Sequence, residues 1–283
     1  DDNYQATSAR DNKLVLKGNI TASTGAVNAN EPEPYTYVNL GLATADSVWT
    51  GVAYNKFGDA GKVTGGKTFY GAINVFLQNG ATWNNEQWGE AVDQFEGSHV
   101  AKFVGGESEA TAGNIFQKDS RNLTIDNYSG NTNIFYAHTG NGEAASDYAA
   151  GDTVIKHAAE GSVVSMITDN SGIAMDNEYS IANVLNALAG KLTYSNYVNG
   201  ENNLTGYVKI ADGLTASSKA MQTGDISFSA EDGKGSLKDG SMTPGITYPE
   251  TQKPGSNVIN QGITGNAKDD YQLKMDGILK EDG

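Results

Sequence analysis

The chain has 283 residues, enough for two globular domains or for one elongated stack of repeating units. Its 34 acidic against 19 basic residues give a formal charge of −15, which disfavours tight non-specific binding to nucleic acid and favours solubility with self-repulsion. Cysteine is absent, which excludes a disulfide framework and thiolate metal sites, and no run approaches the ~18 consecutive apolar residues of a membrane helix.

The opening DDNYQATSAR (1–10) has neither the basic nor the apolar region of an export signal, so any such signal is expected to have been cleaved or to lie outside this sequence. Strand-forming runs then recur between turn signals. They are KLVLKGNI (13–20), YTYVNLGL (35–42), FYGAINVFL (69–77), HVAKFV (99–104), NLTI (122–125), NIFYA (133–137), DTVIK (152–156) and GYVKI (206–210). Their spacing is looser than that of a compact sandwich and implies long, variable loops.

Two stretches share one plan. NLGLATADSVWTG (39–51) and NVFLQNGATWNN (74–85) each place asparagine before an apolar strand ending in leucine, then a small-residue turn, then tryptophan. In the second, Asn79-Gly80 supplies the turn and Trp83 opens the next run. Trp49 and Trp83 stand 34 residues apart, as stacked coils of a parallel β-helix would place them, each coil about 4.8 Å above the last. Two unrelated hairpins are the alternative.

EYSIANVLNALAGKL (178–192) breaks the β pattern. Ile181, Val184, Leu185, Leu188 and Leu192 fall on one helical face, with Ser180 or Asp176 as the expected N-cap. The helix reads as an insertion packed on the sheets, with a partner-binding helix as the second option. Beyond residue 236 three of the five prolines, Pro244, Pro249 and Pro254, mark a linker or an edge-lying segment. The closing DDYQLKMDGILKEDG (269–283) echoes the opening residues, by chance or as the start of a further repeat.

Residues 122–172 carry a resemblance. Leu123, Ile125, Asn127, Ser129 and Gly130 are followed by Ile134-Phe135-Tyr136, then Gly151-Asp152-Thr153-Val154-Ile155, then Asn170-Ser171-Gly172. This order resembles the pertactin-like region of autotransporter passengers, and QNGATW (78–83) resembles an element of the same passengers. The resemblance implies a parallel β-helix carried to the Gram-negative cell surface by a C-terminal outer-membrane barrel. No barrel-like series of alternating strands follows, so a passenger fragment with the barrel outside this chain, or a secreted extracellular relative, is the expectation.

Motifs for chemistry are thin. GKVTGGKT (61–68) matches the letters of a phosphate-binding loop, but a strand-like run follows it where the helix that completes the anion site is required. No G-x-S-x-G occurs, and His99, His138 and His157 sit in separate strand-like runs with no H-E-x-x-H spacing. Two arginines, Arg10 and Arg121, are a poor supply for lyase chemistry, and no acid pair is singled out for glycoside hydrolysis. The acidic turns at 169–172, 176–180 and 230–236 lack the calcium-loop spacing and read as solvated turns.

The sequence therefore predicts an all-β chain: a right-handed parallel β-helix (solenoid) over 1–236 with a short helical insertion near 178–192, then a Pro/Gly-rich segment over 237–283. Roughly 20 to 25 residues per coil would make a rod about 50 Å long. The expected role is that of a non-enzymatic adhesin or self-associating aggregation and biofilm protein on the cell surface. Its expected partners are a host surface, a glycan, a neighbouring bacterial cell or a second copy of itself, with no nucleic acid, metal or cofactor. A stalk or filament subunit is the alternative, and a polysaccharide-active enzyme the third.

Overall fold

A computed structural model of the chain describes residues 13–23, 37–56, 72–90 and 95–244. Arg10, GKVTGGKT (61–68), residues 69–71, Pro249, Pro254 and the closing echo lie outside the described residues.

In chain order the strands are β1 (Val15–Lys17), β2 (Ile20–Ser23), β3 (Tyr37–Leu42), β4 (Val48–Thr50), β5 (Ala53–Lys56) and β6 (Ala72–Leu77). Next come β7 (Thr82–Asn85), β8 (Ser98–Val104), β9 (Gly113–Gln117), β10 (Leu123–Ser129), β11 (Asn131–Tyr136), β12 (Thr153–Ala158) and β13 (Ser162–Asp169). Helix α1 (Glu178–Ala189) separates them from β14 (Leu192–Tyr194), β15 (Leu204–Ala211), β16 (Ala220–Phe228), β17 (Gly235–Leu237) and β18 (Thr243–Pro244).

The larger sheet places β1, β4, β7, β9, β11, β13 and β15 side by side, every pair parallel. A second sheet holds β3, β6, β8, β10, β12 and β14, again all parallel, and β2 pairs with β5. From β6 to β15 the chain alternates between the two large sheets, so each circuit adds one strand to both. Parallel neighbours cannot be joined by tight hairpins, which is why long connections separate the predicted strands.

The two tryptophan stretches lie on one another. Asn39 pairs with Asn74 and Leu42 with Leu77 in one sheet, while Trp49 pairs with Trp83 in the other. The indole rings stack with centroids 4.6 Å apart at 10°, and both side chains are fully buried. Trp49 Nε1 donates to Gly18 O at 2.9 Å and Trp83 Nε1 to Gly51 O at 2.8 Å, so each indole N–H reaches the glycine carbonyl of the preceding circuit. A Cβ at Gly51 would run into the Gly18 carbonyl oxygen, so glycine at this position lets the circuits close to that distance. Asn79 (φ 53°) and Gly80 (φ 77°) form the left-handed turn before β7.

Like residues continue through the core. Leu16, Trp49, Trp83, Ile115, Ile134, Met166 and Val208 form one in-register column, and Leu40, Val75, Phe103, Tyr128 and Ala158 another. The expected 20 to 25 residues per circuit is not what forms. Ile115 to Ile134 takes 19 residues and Met166 to Val208 takes 42, because the connections vary while the strand spacing stays constant. Seven parallel strands at about 4.8 Å span about 29 Å, shorter than the predicted rod.

Helix α1 buries Ile181, Val184, Leu185 and Leu188 in the main core, the face the periodicity predicts. Its N-cap is Asn177, whose side-chain oxygen accepts from Tyr179 N and Ser180 N, rather than Asp176 or Ser180. It stops at Ala189, and Leu192 is buried in β14 instead of continuing the helical stripe. After β15 the parallel order ends: β16 runs antiparallel to β15, and β17 and β18 run antiparallel to β16. β18 shows that paired structure extends beyond residue 237 as far as Pro244.

Candidate functional site

The outer face of the six-stranded sheet carries an ordered array of polar side chains. Strand alternation turns Leu40 and Leu42 inward and Asn39 outward, and register then stacks Asn39, Asn74, Lys102, Asn127 and His157 in one outward column. Asn74 Nδ2 donates to Asn39 Oδ1 at 2.8 Å, and Asn127 Nδ2 donates to Ala101 O at 3.1 Å.

Three neighbouring strands break the two-residue alternation at one level. The buried pairs Val100/Phe103, Ile125/Tyr128 and Ile155/Ala158 are each three apart, so two successive residues between them lie off the core side. The extra residues include Asp126 and Lys156. Asp126 Oδ2 lies 2.7 Å from His99 Nε2, and its Oδ1 lies 2.8 Å from Lys156 Nζ. Burial pushes the Asp126 carboxyl up, but the hydrogen bonds and charges of His99 and Lys156 outweigh it and hold the group below its ordinary value.

At the far end of the column, Glu201 gathers the chain around His157. Glu201 Oε1 accepts from Tyr194 OH at 2.6 Å and from Ala158 N at 2.8 Å, while Oε2 lies 3.2 Å from His157 Nδ1. Asn196 Nδ2 contacts the same imidazole. Desolvation raises the Glu201 pKa, yet the donors, Tyr194 first, bring it down to about 2, so the group is a fixed carboxylate rather than a proton donor near neutrality. Tyr194 shifts upward in turn, through burial and through donating to that carboxylate.

His138 belongs elsewhere. It follows β11, its side chain is almost wholly buried, and its Nε2 lies 3.4 Å from Asp169 Oδ1 and 3.2 Å from Asp169 O. All three histidines therefore sit beside a carboxylate, on two different parts of the fold. Arg121, read as scarce catalytic material, is structural: it grips Asp119, Gln87 and the Phe95 carbonyl.

Among the described residues no group of three or more histidine, aspartate or glutamate side chains is placed to hold a metal ion. The acidic turns hold backbone instead. Asp169 Oδ1 accepts from Ser171 N, and Asp232 Oδ1 accepts from Lys234 N. The His99–Asp126–Lys156 and His157–Glu201 groupings were not foreseen. Their sequence signal is the apolar-x-x-apolar spacing in HVAKF, TIDNY and VIKHA, where a strand period of two gives way to three. No family model, no curated protein and no solved structure matches the chain.

Proposed function

We propose that the chain is part of a Gram-negative cell-surface passenger that works as an adhesin or by self-association, its coils forming a right-handed parallel β-helix. Parallel strands joined by crossovers within one sheet are right-handed in about 98% of cases, which favours that hand. The pertactin-like order of residues 122–172 supports the passenger reading. The observation that carries the adhesive reading is the outward column Asn39, Asn74, Lys102, Asn127 and His157, held in register by the strands themselves.

Such a column offers many weak hydrogen bonds at a fixed repeat, and weak contacts sum to useful avidity when many rods meet a host surface, a glycan or one another. The formal charge of −15 makes homotypic contact dependent on salt, since like charges must be screened before two copies approach. The antiparallel strands β16 and β17 occupy the sheet edge beyond β15, which favours display over a filament in which the next parallel coil stacks on β15.

The test is display of the chain on non-aggregating cells. Faster settling or binding to host glycans is expected, rising with salt for self-association and reduced by a joint Asn39→Ala, Asn74→Ala, Asn127→Ala variant. Settling and binding equal to those of bare cells would contradict adhesion. Turnover of a polysaccharide by the isolated chain would move the reading to an enzyme.

A further inference from the structure

The chain contains three Asn-Gly steps, Asn79-Gly80, Asn141-Gly142 and Asn199-Gly200, and they sit in very different surroundings. We propose that Asn141 is a site of spontaneous deamidation that loosens the hold on helix α1, while the other two are protected. The inference does not rest on the adhesive reading. In this reaction the glycine backbone nitrogen attacks the asparagine Cγ, the new C–N bond closes a succinimide, and the side-chain nitrogen leaves as ammonia. Water then opens the ring at either carbonyl, giving aspartate or isoaspartate. No oxidant or cofactor is needed.

The reaction requires a glycine N–H that can leave its hydrogen bond and a side-chain amide that can swing onto it. At Asn79 both are held. Gly80 N donates to Ala112 O at 3.1 Å, Asn79 N to Thr111 O at 2.7 Å, and Asn79 Nδ2 to Ala43 O at 3.1 Å, so three bonds fix the turn between circuits. At Asn199 the side chain is exposed, but its Nδ2 donates to Asn196 Oδ1 at 3.0 Å and Gly200 N donates to Tyr197 O at 3.0 Å. At Asn141 the side chain is exposed and bonds to a residue of its own loop, Nδ2 donating to Glu143 Oε1 at 3.0 Å and Oδ1 accepting from Glu143 N at 3.4 Å, and Gly142 N reaches Thr139 O only at 3.4 Å, the longest of the three glycine bonds.

The consequence follows from what Asn141 touches. Its Nδ2 donates to Glu143 Oε1 at 3.0 Å, and the same carboxylate accepts from Ser180 Oγ at 2.7 Å and from Asn183 Nδ2 at 3.0 Å. Both of those donors are on α1. Conversion replaces a donor with a second carboxylate beside Glu143, and isoaspartate lengthens the main chain there. The contact between the 139–147 loop and the first turns of α1 is then strained by like charge.

The whole chain is incubated at mildly alkaline pH, sampled over time, digested and mapped by mass, with isoaspartate scored by its methyltransferase; a urea-unfolded sample gives the three intrinsic rates. In the folded chain Asn141 is expected to convert about tenfold or more faster than Asn79, where the glycine bond is shorter and the partners belong to neighbouring circuits rather than to the same exposed loop, with Asn199 between them. Asn141→Gln is expected to remove the fast conversion, and Asn141→Asp to raise hydrogen exchange in α1 without it. Equal folded-state rates at Asn79 and Asn141, or conversion at Asn199 alone, would overturn the assignment. So would an unreactive Asn141 in folded protein whose unfolded form converts at all three steps.

Discussion

Trp83→Ala is expected to cost about 3–5 kcal/mol of unfolding free energy, among the largest effects of any single truncation in this chain. Trp83 is fully buried between Trp49 below and Ile115 above, in the column that both neighbouring circuits share. Its removal forfeits apolar burial, leaves a cavity that two rigid backbones cannot close, and ends a stack with ring centroids 4.6 Å apart. It also leaves the buried Gly51 carbonyl without the indole donor. Trp83→Phe keeps a ring in the column and is expected to recover most of the loss. Urea unfolding of the three proteins measures the order: wild type above Trp83→Phe, and both above Trp83→Ala. Because each circuit contacts chiefly its neighbours, the loss is expected to appear first in the circuits around β4, β7 and β9.

The second large effect is at Arg121. Its guanidinium makes two bonds to Asp119, Nε to Oδ1 at 2.8 Å and Nη2 to Oδ2 at 3.0 Å. It also donates to Phe95 O at 3.0 Å and Gln87 Oε1 at 3.1 Å, and lies 4.1 Å from the Phe95 ring centroid. The Asp119 side chain is only 5% exposed, so Arg121→Ala leaves a buried carboxylate with its countercharge gone, a change that costs about 3–5 kcal/mol. Arg121→Ala/Asp119→Asn removes both charges and is expected to recover part of that stability. Chemical denaturation of the single and double variants separates a broken ion pair from lost packing: equal losses would assign the effect to packing over Phe95.

Much of the architecture was legible because stacking copies local sequence. The Asn-Leu-turn-Trp plan at 39–51 and 74–85 identified residues that pair in register, and Ile181, Val184, Leu185 and Leu188 at i, i+3, i+4 and i+7 identified the buried face of α1. The strand-like runs of the sequence omit, among others, β5, β9, β13, β14, β16, β17 and β18. In β9 and β16 the inward positions include buried Gln117 and Gln222, which hide the apolar alternation that marks a strand. Gln117 is tolerated inside because Asn85 Nδ2 donates to it and it donates to Arg121 O at 3.1 Å, a partnership between circuits that no local window displays.

The candidate face was only half legible for the same reason. The asparagines could be seen as repeating letters, whereas the joining of Asp126 to His99 and Lys156 depends on three strands sharing a break in their pleat. Glu201 reaches His157 across 44 residues, a distance at which a single sequence carries no pairing signal. The α1 cap is Asn177 rather than the expected Asp176 or Ser180, because all three residue types are competent caps and the extended backbone at Asn177 is what places its side chain on the first helical N–H groups.

The register of the stacked circuits underlies both the core columns and the outward ladder, and the absence of cysteine makes it open to cross-linking. Val48 and Thr82 are directly paired on neighbouring parallel strands, about 4.8 Å apart and within disulfide reach. Asn84 lies on the same face as Thr82 but two residues further on, roughly 8 Å from Val48 and past the ~7 Å limit. Under mild oxidation Val48→Cys/Thr82→Cys is predicted to form an intramolecular disulfide and Val48→Cys/Asn84→Cys to stay reduced. The reverse outcome, or no bridge in either protein, would contradict circuits stacked in this register.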